Sequence, residues 1–445
     1  MANLIVGHVS TTTARVWVRG EKKSGEARLR YRVAGSGPWL LASAPLVAPR
    51  GYVAVLELGG LVPSTAYECQ LTYERSGASA PGSFRTAPAE PRDVCFLLGS
   101  CNWTRLPFGI KDPDRAWERI GRIAASEPAD FMIHCGDQIY ADLPTMPLVP
   151  DIGFYRTQYQ SAWQRPPLAS VLSSLPHYMM MDDHEVFDGF ANDAEFAGRP
   201  SQPVRDVALA AYREYQHSHN PQTYPLPALY YSFDFGGASF FVLDVRSERY
   251  RRHGRQMISR MQMERFKAWL RQSSRRPKFV VSSIPFVTEV RDGDDKWCGE
   301  AFNPQREEII DFLARNRIDG VVFLTGDMHC SYHATLDGVA PDGRMFRVHE
   351  LMSSPINQFA SGMHAFLEPG ARTTPAGTTY EHRLSPLEFY GAHSNVMSVR
   401  ITPDASVAWS ILRTKTDEPP VVSGRFDLGG VVAGARPAIS DEPAA

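Results

Sequence analysis

The feature that most constrains this chain is a series of short, almost unbroken apolar runs, most of which stop at a polar cluster. Val94-Cys95-Phe96-Leu97-Leu98 precedes Gly99-Ser100-Cys101, and Phe131-Met132-Ile133-His134 precedes Gly136-Asp137. Tyr178-Met179-Met180-Met181 precedes Asp182-Asp183-His184-Glu185, and Phe240-Phe241-Val242-Leu243 precedes Asp244. Val280-Val281 and Val321-Val322-Phe323-Leu324, before Gly326-Asp327, complete the series. Strands read this way when neither face meets water, which happens where helices cover a sheet. Between the runs the spacing becomes helical. Trp117, Ile120, Ile123 and Ala124 share one face, Met263, Phe266, Trp269 and Leu270 another, and Ile309, Phe312 and Leu313 a third. The alternation predicts a layered α/β domain, mixed sheets flanked by helices, over residues 93–423. The intervals 143–176 and 186–230 read as insertions between strands and are expected at the pocket rim.

Residues 1–88 have another texture. Thr13-Ala14-Arg15-Val16-Trp17-Val18 and Val53-Ala54-Val55-Leu56-Glu57-Leu58 alternate as half-buried strands do, and Gly and Pro punctuate them. With Leu61-Val62-Pro63-Ser64-Thr65-Ala66-Tyr67, a buried Trp and a closing Phe84-Arg85-Thr86, the segment resembles a fibronectin type III-like all-β sandwich. Ala87 to Arg92, with two prolines, reads as a linker. Residues 424–445, rich in Gly, Ala and Pro, read as a frayed or disordered tail.

A formal net charge of -2 argues against a protein that coats nucleic acid, so no stable nucleic-acid complex is expected. No run approaches the roughly 18 apolar residues of a membrane helix. The start, Met1-Ala2-Asn3-Leu4-Ile5-Val6, lacks a basic segment followed by an apolar one. The expectation is a cytoplasmic protein as the sequence stands, extracytoplasmic if a signal was removed. Six scattered cysteines without a CxxC pair do not read as a disulfide framework.

In open α/β sheets ligands sit beyond the carboxyl ends of strands. Four such ends carry metal-competent residues: Cys101; Asp137 with Tyr140; Asp182-Asp183-His184-Glu185; and Asp327 with His329. Phosphate esters resist attack because their oxygens are negative. Two metals about 3.5–4 Å apart clamp those oxygens and lower the pKa of a bound water. Such a pair needs a bridging carboxylate, and Asp137, following a glycine that lets the backbone turn closely, is the natural bridge. Carboxylates suit Mn, Mg or Ca, and imidazole suits Fe or Zn. A metal able to ionise a tyrosine is highly charged, which makes ferric iron attractive.

Gly99-Ser100-Cys101, Gly136-Asp137-Gln138-Ile139-Tyr140, Asp182-Asp183-His184-Glu185-Val186, Leu243-Asp244-Val245-Arg246 and Gly326-Asp327-Met328-His329, in this order, resemble the PhoD (alkaline phosphatase D-like) family of calcineurin-like metallophosphoesterases. The resemblance spans nearly the whole chain. It implies a hydrolase of phosphodiesters or phosphomonoesters acting on a small-molecule phosphate ester. It implies ferric iron held by Cys101, Asp137 and Tyr140, beside calcium or another divalent ion such as Mn, Mg or Zn. Asp183, Asp327 and His329 match the remaining metal motifs. His184 matches a proton donor beside the leaving group, so that hydroxide activated by the metals attacks phosphorus in line while His184 protonates the departing oxygen. Asp188 stands where family members often have Asn, and Arg246 and Asp188 are candidates for substrate contacts.

Plainer readings stand beside several of these. Asp182 and Glu185 read as supports rather than ligands, and Asp244 with Arg246 as a structural ion pair. Cys330 and His134 read as core residues, and the run Arg249, Arg251, Arg252, His253 and Arg255 as a solvated loop. His349 and Ser353-Ser354-Pro355 are left open as a loop over the site. The competing functions are a binding protein with a decayed site and a different metallohydrolase, such as a lipid phosphodiesterase or a nucleotide pyrophosphatase.

Overall fold

A computed structural model describes residues 3–20, 25–75, 79–104, 112–272 and 277–428. The chain opens with β1 (Asn3–Val9), β2 (Ala14–Arg19), β3 (Glu26–Val33), β4 (Leu40–Pro45), β5 (Val53–Leu58), β6 (Ala66–Tyr73) and β7 (Ser79–Arg85). They form two antiparallel sheets, ordered β1-β2-β5 and β4-β3-β6-β7, so the N-terminal region is all-β. Alternation is visible in β6, where every second residue is buried. Val16 and Val18 point into the apolar layer between these sheets. Trp17, on the opposite face of the same strand, does not belong to that layer. It is buried, as expected, but against Trp163 and Tyr215, and its indole N–H donates to Glu214 O at 2.7 Å.

Next come β8 (Val94–Gly99), α1 (Pro113–Ser126), β9 (Phe131–Cys135), α2 (Ile152–Trp163), α3 (Pro166–Leu172), β10 (His177–Met180), the short β11 (Glu195–Phe196) and β12 (Arg199–Pro200), and α4 (Gln202–Tyr215). They are followed by β13 (Tyr231–Phe235), β14 (Ala238–Val242), α5 (Arg260–Arg271), β15 (Lys278–Val281), α6 (Asn303–Arg315), β16 (Val321–Thr325), β17 (Ser331–Val339) and β18 (Met345–Met352). The last elements are β19 (Arg372–Thr373), β20 (Thr379–Tyr390), β21 (Asn395–Ile401), β22 (Ser406–Arg413) and β23 (Val422–Asp427). One sheet runs β10-β9-β8-β21-β22-β23 and the other β13-β14-β15-β16-β18-β17-β20-β19. β8, β9 and β10 are parallel, as are β14, β15, β16 and β18, so their carboxyl ends share an edge.

The layers follow from side-chain alternation. Phe96 and Phe131 face Phe240 of the other sheet at centroid separations of 5.8 and 5.6 Å. The neighbouring Phe241 turns the other way, onto Phe266 and Trp269 of α5. On the far side of the first sheet, Leu97, Met132 and Met179 pack with Trp117, Ile120 and Ile123 of α1. Helices start where side chains satisfy the free amides: Asp112 accepts from Arg115 N, Asp151 from Phe154 N and Ser259 from Gln262 N. The result is helix, sheet, sheet, helix.

Two expectations change. The tail expected to fray from residue 424 begins inside β23, whose pairing with β22 continues to Asp427; residues beyond 428 lie outside the described residues. Residues 143–176, expected at the pocket rim, mostly fold into α2 and α3 and pack on α4, α1 and the N-terminal sheets. Among the described residues, no helix is long and apolar enough to cross a membrane.

Candidate active site

The turns after β8, β9 and β16 interlock where the two sheets meet. Cys101 (φ 56°), Asp137 (φ 55°), Asp327 (φ 72°) and His329 (φ 55°) all take the left-handed conformation. Residues with a Cβ adopt it rarely, and such strain persists where surrounding contacts over-determine it. Here Cys101 N donates to Gly136 O at 3.3 Å, Asn102 N to Asp137 O at 2.8 Å and Gly326 N to Ser283 O at 3.1 Å. The fit leaves no space: a Cβ on Gly136 would lie 2.4 Å from Asp182 Cβ, and one on Gly326 2.4 Å from Ser100 Oγ. Glu185 ties the β9 and β10 turns together. Its buried carboxylate accepts from Asp137 N (3.0 Å), Gln138 N (2.6 Å), Asp182 N (2.7 Å) and Gln216 Nε2 (2.9 Å).

These turns bring the expected residues together. Asp137, Asp183 and His184 offer ligand atoms within 4.8 Å of one another, as do Asp182, Asp183 and Asp327. The Cys101 thiol donates to Asp137 Oδ2 at 3.5 Å, and Tyr140 Oη lies 3.4 Å from His329 Nε2. Asp137, Asp183, His184, Asp327 and His329 line a cleft of about 490 Å³, with Asp188 at its edge. Cys101 and Tyr140 are buried outside that lining, where Tyr140 stacks on Trp103.

Burial sets the electrostatics. It pushes the Asp137 carboxyl well above the ordinary range; His184 opposes the shift, while Asp182, Asp183 and Glu185 add to it. Burial also pushes the Cys101 thiol up, with Asp137 adding, and the Tyr140 phenol up, with Cys101 and Asp137 adding. Burial raises Asp183 too, but Arg246, His184 and Lys296 outweigh it and hold the carboxyl low. His184 goes the other way: burial disfavours its cation, but Asp137 and the hydrogen bond His184 donates to Asp142 win, so its pKa lies well above the usual value. Buried carboxylates crowded together, one with an oxygen (Asp182 Oδ2) that has no partner among the described residues, fit a highly charged cation. The donor set, thiol, phenol, carboxylates and imidazole, mixes ligands that suit transition metals with ligands that suit harder divalent ions.

Arg246 is not paired with Asp244 as the sequence suggested. Its guanidinium is fully buried, does not line the cleft and does not pair with the Asp244 carboxylate. It pairs with Asp182, and lies 3.7 Å from Asp183, 3.4 Å from Asp295 and 3.4 Å from Asp327. Asp244 instead accepts from the amides of Arg246 and Ser247. Arg249, expected in a solvated loop, is also buried, donating to Asp295 O at 2.9 Å and to Gly189 O at 3.2 Å. Ser353 lies beneath the site rather than over it, accepting from Ser100 Oγ at its carbonyl at 3.0 Å. His349 is on β18, stacked on Phe426.

Sequence reasoning missed Asp142, Asp295 and Lys296. Lys296 Nζ lies 2.7 Å from Asp327 and 2.9 Å from Asp295, and Asp142 lies 2.8 Å from His184 Nδ1. The acidic run Asp292-Gly293-Asp294-Asp295 before Lys296 is the signal by which Asp295 and Lys296 could have been found.

The profile of the PhoD-like phosphatase family matches residues 100–407. Alkaline phosphatase D of Bacillus subtilis (strain 168) is 25% identical over 330 residues, covering 63% of this chain and 54% of that protein. The chain thus spans about half the length of the curated relative it matches. A structure of PhoD superposes with a TM-score of 0.74 at 18% identity, over 96% of this chain and 88% of that one. The purple acid phosphatase PPD1 from yellow lupin (Lupinus luteus) seeds does so with a TM-score of 0.61 at 12% identity, over 95% and 74%. At these identities the structural likeness is one of fold. The family match is of another kind: it covers more than half of the chain, from the turn after β8 into β22, and the chain belongs to the PhoD-like phosphatase family.

Proposed function

We propose that this chain is a metal-dependent hydrolase of phosphoric esters, acting on small-molecule phosphodiesters or phosphomonoesters. The observation that carries the reading is the convergence of Asp137, Asp183, Asp327 and His329 on one cleft, with His184 at its wall. Cys101, Asp137 and Tyr140 would hold ferric iron, and Asp183, Asp327 and His329, with Asp137 shared, calcium or another divalent ion such as Mn, Mg or Zn. When bound, these ions supply the charge that polarises the phosphoryl group and acidifies water.

The residues of the chain do the rest. Arg246 and Lys296 hold Asp183 ionised, and they anchor Asp327 in place from 3.4 and 2.7 Å, which keeps both carboxylates positioned as donors. His184, oriented by Asp142, presents a proton at the cleft wall to the departing oxygen. Glu185 fixes the Asp137 turn, so that the shared carboxylate moves little during turnover. The N-terminal strands are read as a fibronectin type III-like sandwich; their split into three- and four-stranded sheets supports this.

The test is to purify the protein without chelator and measure bound metals and the hydrolysis of p-nitrophenyl phosphate and bis(p-nitrophenyl) phosphate. Near-stoichiometric iron with a divalent ion, and turnover abolished by chelation and restored by those metals, is the expected result. Failure to retain or take up metal would remove the reading.

A further inference from the structure

The catalytic cleft continues into a second lobe of about 520 Å³, lined by Phe187, Ala194 and Arg252 among others. Asp188, Gly189 and Arg251 line both lobes, which adjoin at these residues. Arg251 differs from the other cations nearby. Arg246, Arg249 and Lys296 are each engaged by carboxylates. The guanidinium of Arg251 has no ion pair or side-chain hydrogen bond with any described residue, although its backbone is firmly held. Asp193 accepts from the amides of Arg251 (2.8 Å), Arg252 and His253 (2.8 Å), and Tyr250 and Gln256 bridge the loop by two backbone bonds. That grip also occupies Asp193, while Glu195 faces Arg252 at 3.4 Å. Asp188 is the carboxylate that lines both lobes beside Arg251.

A fixed loop presenting an uncommitted guanidinium between a phosphoryl site and a neighbouring lobe is suited to a second oxyanion, because the planar fork binds phosphate bidentately and the backbone is already ordered. We infer that Arg251 is a specificity residue that receives a second phosphate group carried by the substrate, in the lobe beyond the scissile phosphoryl. The inference rests on the proposed phosphoester hydrolysis. It narrows the substrate class to esters bearing another phosphate on the substituent that enters the second lobe.

The experiment uses the metal-loaded full chain and a matched pair, thymidine 5′-(p-nitrophenyl phosphate) with and without a 3′-phosphate. Both release p-nitrophenol from the same bond. The wild type is expected to favour the 3′-phosphorylated ester by about tenfold in kcat/KM, the worth of one charge-assisted contact. Arg251→Gln should collapse that ratio to near unity, and Arg251→Lys should keep part of it. Equal kcat/KM for the two esters in the wild type, or a preference that survives in Arg251→Gln, overturns the assignment. Release from neither ester overturns the assignment when p-nitrophenyl phosphate is still hydrolysed, and overturns the hydrolase reading beneath it when that monoester is untouched as well.

Discussion

His184 Nδ1 lies 2.8 Å from Asp142 Oδ1, and the other oxygen of Asp142 accepts from Asp188 N at 3.0 Å. The carboxylate therefore orients the ring and stabilises its charged form from a position anchored to the next loop. Asp142→Asn keeps the shape but removes the charge. It should cut kcat by about 10- to 100-fold on an alkyl phosphodiester, whose leaving oxygen needs a proton. On a p-nitrophenyl ester, whose leaving group departs as a stable anion, the loss should be much smaller. Equal losses on both would show that Asp142 does not act through proton donation.

Asp137 is the residue on which the proposed centre turns. It touches the Cys101 thiol, shares a ligand cluster with Asp183 and His184, and sits in a strained turn held by Glu185. Asp137→Asn removes the charge that both ions would share. Turnover should fall by about three orders of magnitude or more, as expected when a group required in the transition state is lost. Wild-type kcat in that variant would end the bridging assignment.

Two cysteines of the same strand region should separate cleanly. Cys101 is fully buried against Asp137, whereas Cys95 lies within β8 facing Ser398. Cys101→Ala should lose iron on purification while Cys95→Ala keeps it, as elemental analysis will read. Equal iron in both would remove the thiolate from the donor set.

Much of this was legible because strand ends announce themselves. The continuous apolar runs at Val94–Leu98, Phe131–His134 and Val321–Leu324 gave the buried parallel strands, and the Gly-Asp pairs after two of them gave the turns. What the sequence hid was pairing across distance. Nothing near Arg246 says that its partners are Asp182, Asp183, Asp295 and Asp327, which come from three separate segments. Period-two alternation put Trp17 on a face but could not say that its face meets α4 rather than the opposing N-terminal sheet. Asp142 was invisible for a similar reason, since its role depends on His184 returning beside it after a 42-residue separation.

That contact of Trp17 joins the N-terminal sheets to the site. Its ring packs on Tyr215 at 5.4 Å and Trp163 at 5.7 Å, and its N–H reaches the last turn of α4 at Glu214 O. One residue beyond that helix, Gln216 donates to Glu185, which in turn holds the Asp137 amide. Trp17→Ala opens a cavity at the head of this chain of contacts and should cost about 3–5 kcal/mol of stability. It should also speed metal release to a chelator under conditions where the protein remains folded, because Gln216 and then Glu185 lose their support. Val16→Ala, from the neighbouring position on the other face of β2, is the matched control and should destabilise less without changing metal release. If Trp17→Ala melts early yet releases metal at the wild-type rate, the N-terminal sheets stabilise the fold without bracing the site.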